Sequence, residues 1–293
     1  MSGLQVFLEY TLAGIATGGV YTLVGLGFVL VFKASGVFNF AMGDMMMAGA
    51  YTFYLCAVVF DLHWAVALLI AVVFSCALAW LIERTVLRRM MGQPVIAVVM
   101  ATFGIGFVLR GIAAIAFGSE AYQLPALLPR APFFIGDIML PGKSVRGFVL
   151  TTGLCGAIIL FLRYSRAGIA LRATAADQIT AYAMGINVRR VFALTWMAAA
   201  AIGTVAGVIA ASVTSLTPDL GTIGLNVLGV VILGGLNSVG GVIVAGLFIG
   251  WLEAMTAAYL PGDIREITPY IAVLAMLMIR PYGLFGTRPV ERI

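Results

Sequence analysis

Residues 163–190, RYSRAGIALRATAADQITAYAMGINVRR, form a polar island between two long apolar runs. The island carries five arginines (163, 166, 172, 189 and 190) against one acid, Asp177. Its pattern predicts a short helix over residues 171–184, closed by Gly185, since glycine readily takes the left-handed conformation that ends helices. The rest of the chain reads as membrane. Of 293 residues, 62% are hydrophobic and 10% charged, and mean hydropathy is +1.11. Arginine in excess in a short loop between spans marks the cytoplasmic side of a bilayer. The island therefore fixes both the class of the chain and its expected orientation.

Working outward, the apolar runs are about as long as the ~20 residues that cross hydrocarbon as a helix. Spans are expected over residues 6–32, 45–60, 64–82, 95–117, 148–162, 191–211, 223–236, 241–260 and 267–279. This predicts one all-α integral membrane domain, residues 1–293, a polytopic bundle of eight or nine transmembrane helices with interruptions. The count turns on whether residues 223–236 cross fully or turn back. A β-barrel would need short alternating segments, a pattern these runs do not have. The first run continues for over twenty residues without a basic segment before it, as a retained helix does and a cleaved signal does not. With the N-terminus outside and the C-terminus inside, Lys33, Arg84, Arg88, Arg89, the island's arginines, Arg280, Arg288 and Arg292 face the cytoplasm. Those twelve cations oppose four on the outer side, Arg130, Lys143, Arg146 and Arg265, with Arg110 left inside a span. The net charge of +5 thus fits topology and anionic lipid headgroups, and does not call for nucleic acid.

Two apolar segments look interrupted. One is Phe38-Asn39-Phe40-Ala41-Met42-Gly43-Asp44, the other Leu233-Gly234-Gly235-Leu236-Asn237-Ser238-Val239-Gly240-Gly241. A shift of 197 residues superposes Gly43 on Gly240, Ala48 on Ala245, Gly49 on Gly246 and Tyr51 on Phe248. Broken helices in corresponding halves are common in transporters. Non-helical backbone at membrane depth must be buried in protein or line a wet cavity. Asn39, Phe40, Gly43, Asp44, Gly234, Gly235, Asn237 and Gly240 are therefore the candidates for a translocation path, the alternative being two loops at the membrane surface. The outer loop, residues 118–146, contains Pro125, Pro129, Pro132 and Pro141 and is expected to make turns and short extended pieces.

No catalytic constellation emerges. The only histidine is His63, and Cys56, Cys76 and Cys155 lie singly in apolar spans, so neither a histidine-based triad nor a metal site can be assembled. The string from Gly136 to Gly142-Lys143-Ser144 has five residues between its glycines where a nucleotide-binding loop has four, and lacks the flanking strand and helix. No cofactor is implied. Three ionisable groups lie in or near the hydrocarbon. At 1.5 Å per residue, Arg110 and Glu253 sit at depths of roughly 22 and 18 Å from the inner side. They are expected to pair with each other, because a lone charge at mid-bilayer costs at least ~2.5–3.5 kcal/mol. Asp44 adjoins the Gly43 break, where it would suit the positive end of the following helix. Gly14, Gly18, Gly19, Gly25 and Gly27 in the first span would allow close helix contact. Sparse polarity along the spans suits a small zwitterion with an apolar side chain, or an amide.

Together these segments resemble the permease subunits of bacterial ATP-binding-cassette importers for branched-chain amino acids, the LivH-type family, over nearly the whole chain. The resemblance rests on Arg172-Ala173, Ala175, Asp177, Ala181 and Gly185-Ile186-Asn187 in the island. It rests also on the Phe38–Asp44 segment, the Leu233-Gly234-Gly235…Ser238 turn, and the ending Arg280-Pro281-Tyr282-Gly283-Leu284-Phe285-Gly286. It implies a transport subunit without catalysis of its own, in the bacterial inner membrane. The implied partners are a second, similar permease, two cytoplasmic ATPases and an external solute-binding protein. The island becomes the coupling element, with Arg166, Gly168, Arg172, Ala173, Asp177, Ala181, Gly185 and Ile186 at the ATPase contact. Met42 stands where many relatives have a polar residue, often histidine, and Asn237 and Gly240 where glycine and proline are frequent. Permeases for urea or short amides therefore stay open as alternatives. An ion-coupled secondary transporter, using Asp44 and Glu253, is the rival from another class.

Overall fold

The computed structural model describes residues 3–90, 92–124, 133–135, 138–140, 142–260 and 264–286. Its centre is α1 (Gly3–Ser35), whose Leu23, Val24, Leu26, Val29 and Val31 are fully buried. A helix buried on all sides needs neighbours that come close, and glycine supplies the room. A Cβ on Gly18 would lie 2.6 Å from the Gly246 carbonyl oxygen and 2.7 Å from the Leu247 Cα, so α1 meets α10 (Val239–Tyr259) nearly backbone to backbone. The small residues of the first span thus perform the packing expected of them.

After α1 the chain turns at Gly36 and enters α2 (Met42–Tyr54), which continues as a π-helical turn, Leu55–Val59. Met42, Met45, Met46 and Met47 are at most 1% exposed. Flexible thioethers fill irregular gaps well. Met42 reaches the notches left by Gly27 on α1 and Gly203 on α8 (Val188–Val213), and Met46 covers Gly207. α3 (Trp64–Thr85) starts at His63, whose Nδ1 accepts from the Ala65 amide at 3.4 Å, and packs on α8 and α2. α4 (Val95–Phe117) and α5 (Gly142–Tyr164) flank this core with much of their apolar surface uncovered. Between them β1 (Phe133–Ile135) and β2 (Ile138–Leu140) form a two-stranded antiparallel hairpin, matching the short extended pieces expected of that loop. Its prolines Pro125, Pro129, Pro132 and Pro141, and Gly136 with Asp137, lie outside the described residues.

The island is not one helix but two, α6 (Arg166–Ala176) and α7 (Gln178–Ala183). The break falls at Asp177, in extended conformation with φ −160°, because its carboxylate accepts from the Ile179 and Thr180 amides and so starts a new helix. α9 (Ile223–Gly234), preceded by a 3₁₀ turn (Pro218–Thr222), is short, and α11 (Ile264–Ile279) closes the bundle against α9 and α10. Among the described residues, seven helices are long and apolar enough to cross a membrane, and Pro218–Gly234 and Ile267–Ile279 add two shorter apolar helices. The protein is a multi-pass membrane protein, all-α among the described residues apart from one small hairpin.

Candidate translocation site and coupling surface

The first interruption is held inside the protein. Asn39 is 1% exposed, and its Oδ1 accepts from the Ala41 amide at 3.1 Å while the Phe40 amide donates to Thr102 Oγ1 on α4 at 3.2 Å. Those two bonds satisfy backbone groups that a buried break would otherwise orphan. The Phe40 ring stacks on Phe103 of α4 at 4.2 Å. α2 then starts directly against α9: a Cβ on Gly43 would lie 2.9 Å from the Gly224 Cα, and would overlap the Gly221 carbonyl.

At this meeting of α2, α4 and the 3₁₀ turn before α9, Asp44 forms an ion pair with Arg110. Nε and Nη2 of Arg110 both donate to Oδ1, at 3.1 and 3.0 Å. The carboxylate is 9% exposed and the guanidinium side chain 28%. Two glycines make the space. A Cβ on Gly106 would come within 2.5 Å of Oδ2, and one on Gly221 would overlap Oδ1. Phe40, Phe103, Phe107 and Leu225 complete a cavity of about 50 Å³ beside the pair.

The expected pairing of Arg110 with Glu253 is thereby corrected. Glu253 lies on α10 and its Oε2 accepts from the Tyr21 hydroxyl of α1 at 2.8 Å. Similar expected depth did not bring the two charges together, because α10 packs on α1 whereas α4 packs on α2. Asp44 does lie in the first turn of α2, where the helix dipole favours it, but its hydrogen bonds go to Arg110 rather than to backbone amides.

The second interruption is of a different kind. Gly235, at φ +100°, closes α9, and Ser238 caps α10 by accepting from the Gly241 amide at 3.0 Å. The tail latches onto the turn: the Leu284 amide donates to the Leu233 carbonyl at 2.8 Å and Phe285 to Gly234 at 3.1 Å. Gly234 and Gly235 are buried under this latch, whereas Asn237 and Gly240 are exposed, and nothing lies within 4 Å of a Cβ placed on Gly240. From Gly224 to Gly234 the helix rises about 15 Å, which separates this turn from the Gly43 site. The structure thus gathers Asn39, Phe40, Gly43 and Asp44 into one site, and leaves Gly234, Gly235, Asn237 and Gly240 out of it. Gly43 and Gly240, superposed in the expected repeat, sit in opposite environments.

The island is built as a capped unit. Ser165 Oγ accepts from the Gly168 amide at 2.9 Å, and Arg172 Nη2 donates to the Arg163 carbonyl at 3.1 Å while Nη1 donates to that of Leu162. Arg172 therefore satisfies carbonyls at the end of α5. Gly168 is buried against that same Leu162 backbone. At the far end Ile186 N donates to the Ala181 carbonyl and Gly185 N to that of Tyr182, each at 3.0 Å, with Gly185 at φ +84°. That is a Schellman closure. Asn187 Oδ1 then accepts from the Arg190 amide at 3.1 Å and starts α8. Gln178 Nε2 reaches the Ala34 carbonyl at 3.4 Å, tying α7 to the end of α1.

Arg166 and Arg172 are exposed, Ala173, Asp177 and Ile186 half-buried, and Ala181 buried. Three residues missed at the sequence level stand out instead: Ile179, Tyr182 and Met184 are 83%, 75% and 79% exposed. The signal was present, an apolar residue and an aromatic three apart in a polar stretch. Phe103, Gly106 and Phe107 were missed as well, although with Arg110 they fall on one face of α4 at helical spacing. Among the described residues, no group of three or more His, Cys, Asp or Glu side chains is placed to hold a metal.

A multi-pass bundle with a nearly buried charged pair between α4 and the start of α2, and an exposed helical loop, has the build of a membrane permease. Residues 10–279 match the family described as branched-chain amino acid transport system / permease component, and the chain belongs to that family. It is 29% identical to the high-affinity branched-chain amino acid transport system permease protein LivH of Salmonella typhimurium, over 98% of each chain. It is 26% identical to BraD of Pseudomonas aeruginosa, a permease protein of the same description, over the full length of both. Among solved structures it resembles a chain of PsaBC from Streptococcus pneumoniae, determined in complex with Fab. The TM-score is 0.51 at 16% identity, covering 95% of this chain and 93% of that one, a likeness of fold.

Proposed function

We propose that this chain is the permease subunit of an ATP-binding-cassette importer for branched-chain amino acids in the bacterial inner membrane. Its N-terminus is outside and its C-terminus in the cytoplasm. It works beside a second, similar permease, with two ATPases on the inner side and a solute-binding protein outside. The observation that carries this assignment is the Asp44–Arg110 pair. An arginine within the α4 span with 28% of its side chain open is poorly placed against lipid but well placed on the wall of a lumen completed by another protein chain. The relatives' stated cargo supports the amino-acid class.

The island is the coupling element. Its exposed Ile179, Tyr182 and Met184 offer an apolar contact to an ATPase, framed by arginines, and Gln178 carries displacement to α1. Asp177, Ala181, Gly168 and Gly185 serve this contact by shaping the loop. Met42 is fully buried in the notch between Gly27 and Gly203, which supports a packing role for it. The test is uptake of radiolabelled leucine by proteoliposomes holding the whole assembly, with urea and acetamide as competitors. Uptake should need ATP inside and binding protein outside, and should survive an uncoupler. Collapse with the uncoupler while ATP is maintained would move the chain to the ion-coupled class.

A further inference from the structure

The ion pair at the interruption is chemically incomplete. Both bonds from Arg110 fall on one oxygen of Asp44, Oδ1. Among the described residues, Asp44 Oδ2 accepts no hydrogen bond and Arg110 Nη1 donates none. A guanidinium and a carboxylate that served only to clamp two helices would gain from the two-bond, fork-to-fork arrangement. Here Gly106 and Gly221 close on the carboxylate from two sides, and the pair keeps one donor, Nη1, and one acceptor, Oδ2, without a hydrogen bond among the described residues. Both belong to a pair that borders a cavity walled by Phe40, Phe103, Phe107 and Leu225.

We propose that this is a half-site for the zwitterionic head of an α-amino acid. The ligand's carboxylate takes Arg110 Nη1, its ammonium takes Asp44 Oδ2, and its side chain lies against the Phe103–Phe107 face of α4. The inference rests on the permease assignment above and goes beyond it by naming the atoms that meet the cargo. A zwitterion adds one charge of each sign, so the site stays neutral while occupied, as a group at this depth requires. A free amine or a free carboxylate would leave one charge uncompensated. The cavity walls beside the pair are apolar, Phe40, Phe103, Phe107 and Leu225, which favours a ligand with an apolar side chain. Arg110 and Asp44 are positioned to bind and pass the ligand, with no bond made or broken.

The test uses the purified complete assembly in nanodiscs without the external binding protein, and measures equilibrium binding of radiolabelled leucine. Leucine should bind saturably. 3-Methylbutylamine, which lacks the carboxylate, and 4-methylpentanoate, which lacks the ammonium, should each compete at least tenfold more weakly. Arg110→Lys keeps the charge but loses Nη1, and Asp44→Asn keeps the shape but loses the charge. Each should weaken leucine binding at least tenfold in an assembly that still forms. No saturable leucine binding, equal competition by the two fragments, or unchanged binding in both variants would overturn the site. The competition arm uses unmodified protein and so holds even where a variant fails to assemble. Leucine uptake by Arg110→Lys and Asp44→Asn assemblies at the unmodified rate would remove the half-site and leave the permease assignment standing. An unmodified assembly that imports no amino acid would remove the assignment itself.

Discussion

Gly185 gives the sharpest test of the coupling loop, because its cost is purely conformational. Its φ of +84° lies in the left-handed region, and nothing lies within 4 Å of a Cβ built there. A substitution therefore meets no steric wall and is penalised by the backbone alone, by about 1–2 kcal/mol for an ordinary L-residue. A β-branched residue pays more, and asparagine much less. Such a penalty lowers the population of the native loop relative to alternatives by roughly 5–30-fold. The affected bonds are the two that close α7, Ile186 N to Ala181 O and Gly185 N to Tyr182 O. Losing them frees the segment that presents Ile179 and Tyr182, while the spans on either side keep their apolar anchorage. Gly185→Asn, Gly185→Ala and Gly185→Val should thus form a graded series. All three should insert, as judged by membrane fractionation. ATPase co-purification and ATP-driven leucine uptake should fall slightly for Asn, several-fold for Ala and furthest for Val. Equal activity across a stably inserted series would refute a role for this closure in coupling.

Three further outcomes are expected. With the native cysteines replaced, Ser119→Cys should react with an impermeant thiol reagent added outside intact cells and Ala175→Cys should not; the reverse labelling would invert the topology. Gly43→Leu should stop uptake, since its side chain would enter the Gly221–Gly224 backbone, whereas Gly240→Leu, projecting into open space, should transport normally; equal loss in both would show that the exposed turn also lines the route. Replacing Arg110 with Met strands a nearly buried carboxylate and should cost about 3–5 kcal/mol, with Asp44→Asn in the same chain recovering part of it, read from the thermal unfolding of the detergent-solubilised permease; strictly additive losses would mean that the pair contributes no coupling.

Much of the fold was legible because membrane insertion writes it locally. Runs of apolar residues gave the spans, and the i, i+4 glycines of the first span announced a close neighbour, found to be α10. The same local signals marked residues 38–44 as a break and Gly185 as a helix end. What they could not give was the internal break of the island. Asp177 was read as one acid in a basic loop, yet an acid whose carboxylate can accept from amides two and three residues on is also a helix start.

The misassigned charge pair shows where one-dimensional reasoning stops. Distance along a helix converts to depth, so Arg110 and Glu253 were expected to need partners within the bilayer. Depth says nothing about azimuth, and in a bundle the azimuth of each helix is set by which faces its neighbours accept. Here the decisive packing is between glycines: Gly18 with Gly246 places α10 and Glu253 beside Tyr21 of α1, while Gly43 with Gly224 brings α9 to the start of α2. Once those two contacts exist, Asp44 is the acid left facing α4, and Arg110 has no other acid to bond among the described residues. The glycine contacts therefore determine the electrostatics of the site, and a change at Gly43 or Gly221 should disturb the charge pair as surely as a change at Asp44.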